Sequence, residues 1–167
     1  MERGEALVFR RLEKRDANAA SALEGKCLSE AWSRSAWESG LTDANAFYAG
    51  AFQGERLVGC CGFWQSFEDA DVCNVAVEPS CRRQRIAERL LLFLMEEGRK
   101  RGVENFTLEV RASNGAAISL YEKLGFVREG VRRSFYENPK EDAFILWKRQ
   151  ETHGTITGSP QGENPLQ

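Results

Sequence analysis

Residues 74–102 read NVAVEPSCRRQRIAERLLLFLMEEGRKRG, and the change of pattern along them decides the fold. A short apolar strand closes at Glu78-Pro79. From Ile86 onward the pattern becomes helical, with Ile86, Leu90, Phe93, Leu94 and Glu97 tracing one stripe that is apolar until its end. The helix runs out in Arg99-Lys100-Arg101-Gly102, cations and then a glycine, which suits a helix C-terminus. The start is different. Arg82, Arg83 and Arg85 crowd the end where the backbone carries partial positive charge, an arrangement unfavourable by roughly 0.3–1 kcal/mol per cation. A strand, a turn and a helix start ringed by arginines make a natural seat for a polyanion, because free backbone N–H groups and guanidinium groups converge there. The plainer alternative is three exposed arginines solvating a loop. The position beyond a strand C-terminus, where α/β sheets tend to bind ligands, favours the seat.

Working outward, ALVFRRL (6–12) reads as a strand and Asp16 as the cap of a helix over about 17–28, with Ala20, Leu23 and Cys27 at helical spacing. Ser33 caps a second short helix carrying Trp37. AFYAGAF and RLVGCCGFWQSF flank QGE, a hairpin signal in which Gly54 supplies the turn, and ADVCNVAV is the third strand of this meander. After the arginine-rich helix come the strand NFTLEV, a helix SNGAAISLYEKLGF capped by Ser113 or Asn114 and stopped by Gly125, and the strands FVREGVRRSFY and EDAFILWKR. The order β-α-α-β-β-β-α-β-α-β-β predicts one mixed α/β sheet over residues 1–150, without internal repeats. Residues 151–167, polar and rich in glycine and proline, are expected to be a disordered tail.

Composition narrows the chemistry. The chain has 167 residues, 42% hydrophobic and 29% charged, with a formal charge of −2. That size suits one domain, and that charge argues against a general nucleic-acid binder. No apolar run is long enough to span a bilayer and the N-terminus lacks a signal-peptide core, so a soluble, cytoplasmic protein is expected. The five cysteines (27, 60, 61, 73 and 81) form no C-x-x-C pair and read as reduced core thiols. The one histidine, His153, lies outside the expected domain. Zinc sites and Ser-His or Cys-His nucleophile pairs are therefore not expected, and acid–base chemistry falls to carboxylates, tyrosines, lysines or a thiol.

Two further residues stand out. In FTLEV, Phe106, Leu108 and Val110 take one face and Thr107, Glu109 and Arg111 the other. A carboxylate among apolar strands would be partly desolvated and suited to a general base; the alternative is a Glu on a wet sheet face, paired with Arg111. Tyr121 lies seven residues after Asn114, on the same helix face, where a phenol could return a proton to a leaving group or simply pack in the core.

With these residues in place the sequence resembles the GNAT superfamily of acetyl-CoA-dependent N-acetyltransferases over about residues 6–149. Within it, LEVRASNGAAISLYEKLGF followed by FYENPKEDAFILWK resembles the RimI type, ribosomal-protein alanine N-terminal acetyltransferases. The resemblance implies a GNAT acyl-CoA N-acyltransferase fold, α/β (α+β), with a mixed, mostly antiparallel sheet flanked by about four helices. It also implies acetyl-CoA as cosubstrate, with no metal. Val75, Ala76 and Val77 would bond the pantetheine arm. Arg82, Arg83, Gln84, Arg85, Ile86, Ala87 and Glu88 would surround the pyrophosphate, and Asn114 would touch the cofactor farther along. Glu109 would accept the amine proton and Tyr121 protonate the departing thiolate, while Trp32, Ser33 and Tyr136 would face the acceptor. One departure stands out: the superfamily turn is Q/R-x-x-G-x-G/A, and Arg85 replaces its first glycine. That side chain is expected to point outward and add a charge-assisted contact to phosphate. The acceptor implied is a protein N-terminus, that of a ribosomal protein, met by a monomer or weak dimer. A small-molecule amine or lysine acceptor, and a non-catalytic CoA-binding module, are the competing readings.

Overall fold

The computed structural model describes residues 5–150; the expected tail and His153 lie outside them. Seven strands and four α-helices follow the predicted order: β1 (Leu7–Arg11), α1 (Ala17–Cys27), α2 (Arg34–Leu41), β2 (Ala46–Gln53), β3 (Arg56–Ser66), β4 (Asp69–Val77), α3 (Ile86–Lys100), β5 (Asn105–Arg111), α4 (Gly115–Lys123), β6 (Val127–Tyr136) and β7 (Glu141–Lys148). The strands form one sheet in the order β1-β2-β3-β4-β5-β7-β6. Only β4 and β5 are parallel, as the crossover through α3 requires. The β2–β3 hairpin closes through Gly54-Glu55, with Gly54 at φ +58°.

Alternation along the strands sends side chains into two cores, one on each face. In β2, Phe47, Ala49 and Ala51 join the core beneath α3 and α4, with Leu90, Leu94, Phe106 and Leu108. Tyr48 joins the core beneath α1 and α2, with Leu23, Trp37, Cys60 and Ala76. Gly62 in β3 permits this second core to close, since a Cβ there would collide with the Tyr48 ring.

The caps follow the sequence with one correction. Ser33 Oγ accepts from Ala36 N at 3.2 Å and Asn114 Oδ1 from Ala117 N at 3.2 Å, so both cap their helices. Asp16 occupies the predicted cap position of α1, but its carboxylate does not bond that helix. It accepts from Glu13 N and pairs with Arg10 at 2.9 Å instead. The reason is backbone: Asp16 closes a 3₁₀ turn, Lys14–Asp16, and has helical rather than extended dihedrals.

Where β4 and β5 part sets the position of the site. Their ladder holds for three pairs, Asp69↔Asn105, Ala70↔Phe106 and Asp71↔Thr107. Beyond it β4 stays with β3 and β5 with β7. A bulge marks β4 just past the fork: Cys60 pairs with Ala76 and Gly62 with Cys73, leaving Asn74 and Val75 opposite Cys61 alone. Asn74 has φ +55°.

Candidate active site

A cavity of about 740 Å³ fills the fork. Val72–Val75 wall it on one side and Leu108–Arg111 on the other, so the β4 edge facing it lacks a strand partner. Of the residues singled out in the sequence, Val75, Glu109, Asn114, Tyr121, Trp32 and Tyr136 line this one cavity. Ala76, Val77 and Ser33 do not, nor does the turn Arg82–Glu88.

Glu109 alternates with the buried Leu108 and Val110 and is itself half-buried, and all three border the cavity where β5 leaves β4. Its nearest cation is not Arg111 but Arg132 of β6, at 3.7 Å, an ion pair beyond hydrogen-bond reach. No described residue donates a hydrogen bond to its carboxylate, so its lone pairs are open to a proton. Arg111 is engaged elsewhere: it donates to the carbonyls of Pro139 and Glu137 at 2.9 and 3.1 Å and stacks on Tyr136 at 4.4 Å. Glu141 accepts from Ser113 N and Oγ at 3.1 and 2.7 Å, tying β7 to the segment before α4. Together these contacts hold the β6–β7 turn at the cavity.

Tyr121 is buried from α4 and meets Phe126 edge-on. Burial pushes its phenol pKa up, followed by the influence of Cys61 and Tyr136, so it stays protonated near neutral pH. Tyr136 is raised as well, chiefly by burial and then by Glu109. The thiols are poorly suited to nucleophilic work. Cys73, which lines the cavity, is pushed up to about 12 by burial, and Cys60 and Cys61 lie well above the ordinary thiol range for the same reason.

The arginine-rich turn lies outside the helix that follows it. Arg85 is the N-cap of α3, and the first i→i−4 bond runs from Arg89 N to Arg85 O at 3.0 Å. The N–H groups of Ile86, Ala87 and Glu88 therefore precede the helical ladder. Arg83 and Arg85 sit at φ +69° and +58°, and both are exposed. Arg85 thus keeps the left-handed backbone a glycine would adopt and turns its side chain outward. Ile86 packs into the core, and Glu88 pairs with Lys123 of α4 at 3.1 Å. On β4, the Val77 carbonyl accepts the Cys27 thiol at 3.3 Å.

Sequence reasoning missed Glu24, Glu30 and Asn74, all cavity residues. Glu24 has no solvent exposure, and a signal for it existed: it falls between Ala20 and Cys27 on the apolar stripe of α1, where a charge is out of place. Asn74 is marked only by its left-handed backbone, which the sequence does not display.

Among the described residues, no cluster of three or more His, Cys, Asp or Glu has metal-binding geometry, and no helix is long and apolar enough to cross a membrane. Residues 13–126 match the model of the Acetyltransferase (GNAT) family. The N-alpha-acetyltransferase RimI of Mycobacterium tuberculosis is 32% identical over 149 residues, 85% of this chain and 92% of that protein. The [ribosomal protein bS18]-alanine N-acetyltransferase of Escherichia coli K12 is 47% identical over 81 residues, 47% of this chain and 55% of that protein. The crystal structure of the Escherichia coli ribosomal-protein-S18-alanine N-acetyltransferase superposes with a TM-score of 0.82 at 32% identity, covering 90% of this chain and 97% of that one.

Proposed function

The chain belongs to the GNAT family of acetyltransferases, and on that premise we propose that it moves the acetyl group of acetyl-CoA onto the N-terminal alanine amine of a ribosomal protein. The observation that carries the mechanism is the convergence of Glu109 and Tyr121 on one cavity, at the point where β4 and β5 part.

In this reading the acyl donor enters along the free edge of β4, whose backbone groups at Val75–Val77 hold the pantetheine arm as a neighbouring strand would. The N–H groups at the start of α3, with Arg82, Arg83 and Arg85 around them, take the pyrophosphate. The acceptor amine comes to Glu109, which removes its proton and leaves a lone pair free to attack the thioester carbon. A backbone N–H of β4 near the bulge steadies the oxyanion. The C–S bond then breaks, Tyr121, protonated at neutral pH, gives its proton to the departing thiolate, and the proton that the new amide nitrogen sheds restores the phenol. Trp32 and Tyr136 border the acceptor side. No enzyme-bound acyl group is needed, consistent with the elevated thiols.

Two measurements test this. Calorimetry should detect acetyl-CoA binding, and its absence would overturn the assignment. A mass-spectrometric screen of peptides with different N-termini, set against lysine and small-amine acceptors, should favour peptides beginning with alanine. Preference for a free small amine would replace the acceptor while leaving the chemistry in place.

A further inference from the structure

Glu24 is an ionisable side chain without solvent exposure. Tyr48 faces it from β2, Cys60 from β3, and Cys73 and Asn74 from β4. Trp37 of α2 and the Trp32 backbone N–H lie against it, and Cys27 is one turn along α1. Glu30 and Glu109 share its cavity. Among the described residues, no lysine or arginine forms an ion pair with it.

The hydrogen-bond inventory around this carboxyl is uneven. Two buried side-chain polar atoms among the described residues lack a partner, Trp37 Nε1 and Asn74 Oδ1. Both belong to residues that adjoin Glu24. Asn74 Nδ2 is shared between the two carboxyl oxygens, at 3.1 and 3.2 Å, and Trp37 packs close enough to favour the anion yet makes no bond of acceptable geometry. One orphan is a donor and the other an acceptor. An ionised carboxylate offers lone pairs only and leaves Oδ1 unsatisfied. A neutral acid offers one O–H and one carbonyl, the complement of both.

We propose that Glu24 is a positioning residue held as the neutral acid, its O–H donating to Asn74 Oδ1 while its carbonyl accepts from Asn74 Nδ2 and the Trp37 indole. A rotation of the Asn74 carboxamide converts the shared contact into this paired one. The clamp fixes Asn74 at its left-handed backbone and so fixes the β4 bulge, with Val75 beside it at the free edge that faces the cavity. Through Trp37 and Trp32 it also joins α1 and α2 to that edge, so the acceptor wall and the strand that receives the acyl donor keep one register. Burial, the main influence on Glu24, raises its pKa in agreement. The inference rests on the acetyl-transfer reading for its kinetic readout alone.

Infrared difference spectra of the full chain against Glu24→Gln at neutral pH test the proton directly. Loss of a protonated-carboxyl C=O band in the variant supports the clamp; loss of a carboxylate band overturns it. This arm needs no turnover, so its failure is separate from failure of the acetyl-transfer reading. If the variant does not fold, carboxyl-¹³C NMR of the wild type serves: one glutamate titrating above all others supports the clamp, and ordinary titration of every glutamate overturns it. In stability, the wild-type unfolded chain releases the Glu24 proton near 4.5 while the folded chain holds it to a higher pH. Wild-type Tm should therefore fall relative to Glu24→Gln as pH rises from about 4.5 to the elevated folded value, then run parallel; a difference that does not change with pH is the contrary result. In turnover, Glu24→Ala should lower kcat by on the order of 10²-fold through misplacement of the β4 edge. Gln, which carries both a donor and an acceptor, should recover most of that loss. Equal loss in Ala and Gln overturns the positioning role.

Discussion

Glu109 and Tyr121 differ in what holds them, and the difference sets what each substitution does. Glu109 stands on a strand interior with one loose cation, Arg132 at 3.7 Å. Glu109→Gln should preserve fold and acetyl-CoA affinity while lowering kcat by on the order of 10²–10⁴-fold, the usual range for a lost general base; pre-steady-state kinetics beside calorimetry separate the two. Tyr121 is packed into the core, so Tyr121→Phe keeps the ring and removes only the hydroxyl, the proton donor proposed above. Turnover should drop about 10²-fold with Tm nearly unchanged, and wild-type turnover in that variant would return the residue to a packing role. Arg85 presents a trade-off. A non-glycine residue in the left-handed region is unfavourable by roughly 1–2 kcal/mol, and a cation at a helix start adds roughly 0.3–1 kcal/mol. Glycine gives back about 0.4–1 kcal/mol through the unfolded chain. Arg85→Gly should therefore stabilise the protein by about 1 kcal/mol net in denaturant melts, while weakening acetyl-CoA binding through the lost cation.

At the scale of elements, Ser33 is a helix cap. Its hydroxyl caps α2 and does not line the cavity, so Ser33→Ala should cost about 1 kcal/mol of stability, and Ser33→Asp should restore it. Gly62→Ala, which drives a Cβ into the Tyr48 ring opposite the bulge, should destabilise by about 3 kcal/mol or more, measurable as a shift in the urea midpoint. The strand and helix order was legible in the sequence because the hydrophobic period switches cleanly between two and 3.6 residues. Glu109 was legible for the same reason: once Leu108 and Val110 face the core, their neighbour must face away. Asp16 misled because its side-chain chemistry suits a cap while its backbone is committed to a preceding 3₁₀ turn. Asn74 could not be seen, since a bulge depends on the register between two strands that sequence leaves unstated. The pairing of Glu109 with Arg132 rather than Arg111 is likewise a tertiary matter, decided by what the β6–β7 turn asks of Arg111.

For the molecule as a whole, the fork divides a continuous sheet into a β1–β2–β3–β4 half and a β5–β7–β6 half, joined by three parallel pairs and by α3. A ligand that touches both halves should act as a brace. Acetyl-CoA at about 100 times its Kd adds about 2.7 kcal/mol, and a chain of this size gains roughly 2–4 °C per kcal/mol. Tm should therefore rise by roughly 5–10 °C in a thermal melt, and by much less with a truncated thiol ester lacking the nucleotide. The same fork bears on strand addition to the sheet. A strand edge with unpaired amides is ordinarily an invitation to other chains, which add themselves as further strands and begin an aggregate. Here the edge of β4 is sunk inside the sheet, with β5 leaving at its root, so a stray polypeptide has no straight run along which to zip. Unpaired backbone groups set inside a sheet, rather than along its outer flank, are in this way poorly placed for the strand addition that threatens an open edge.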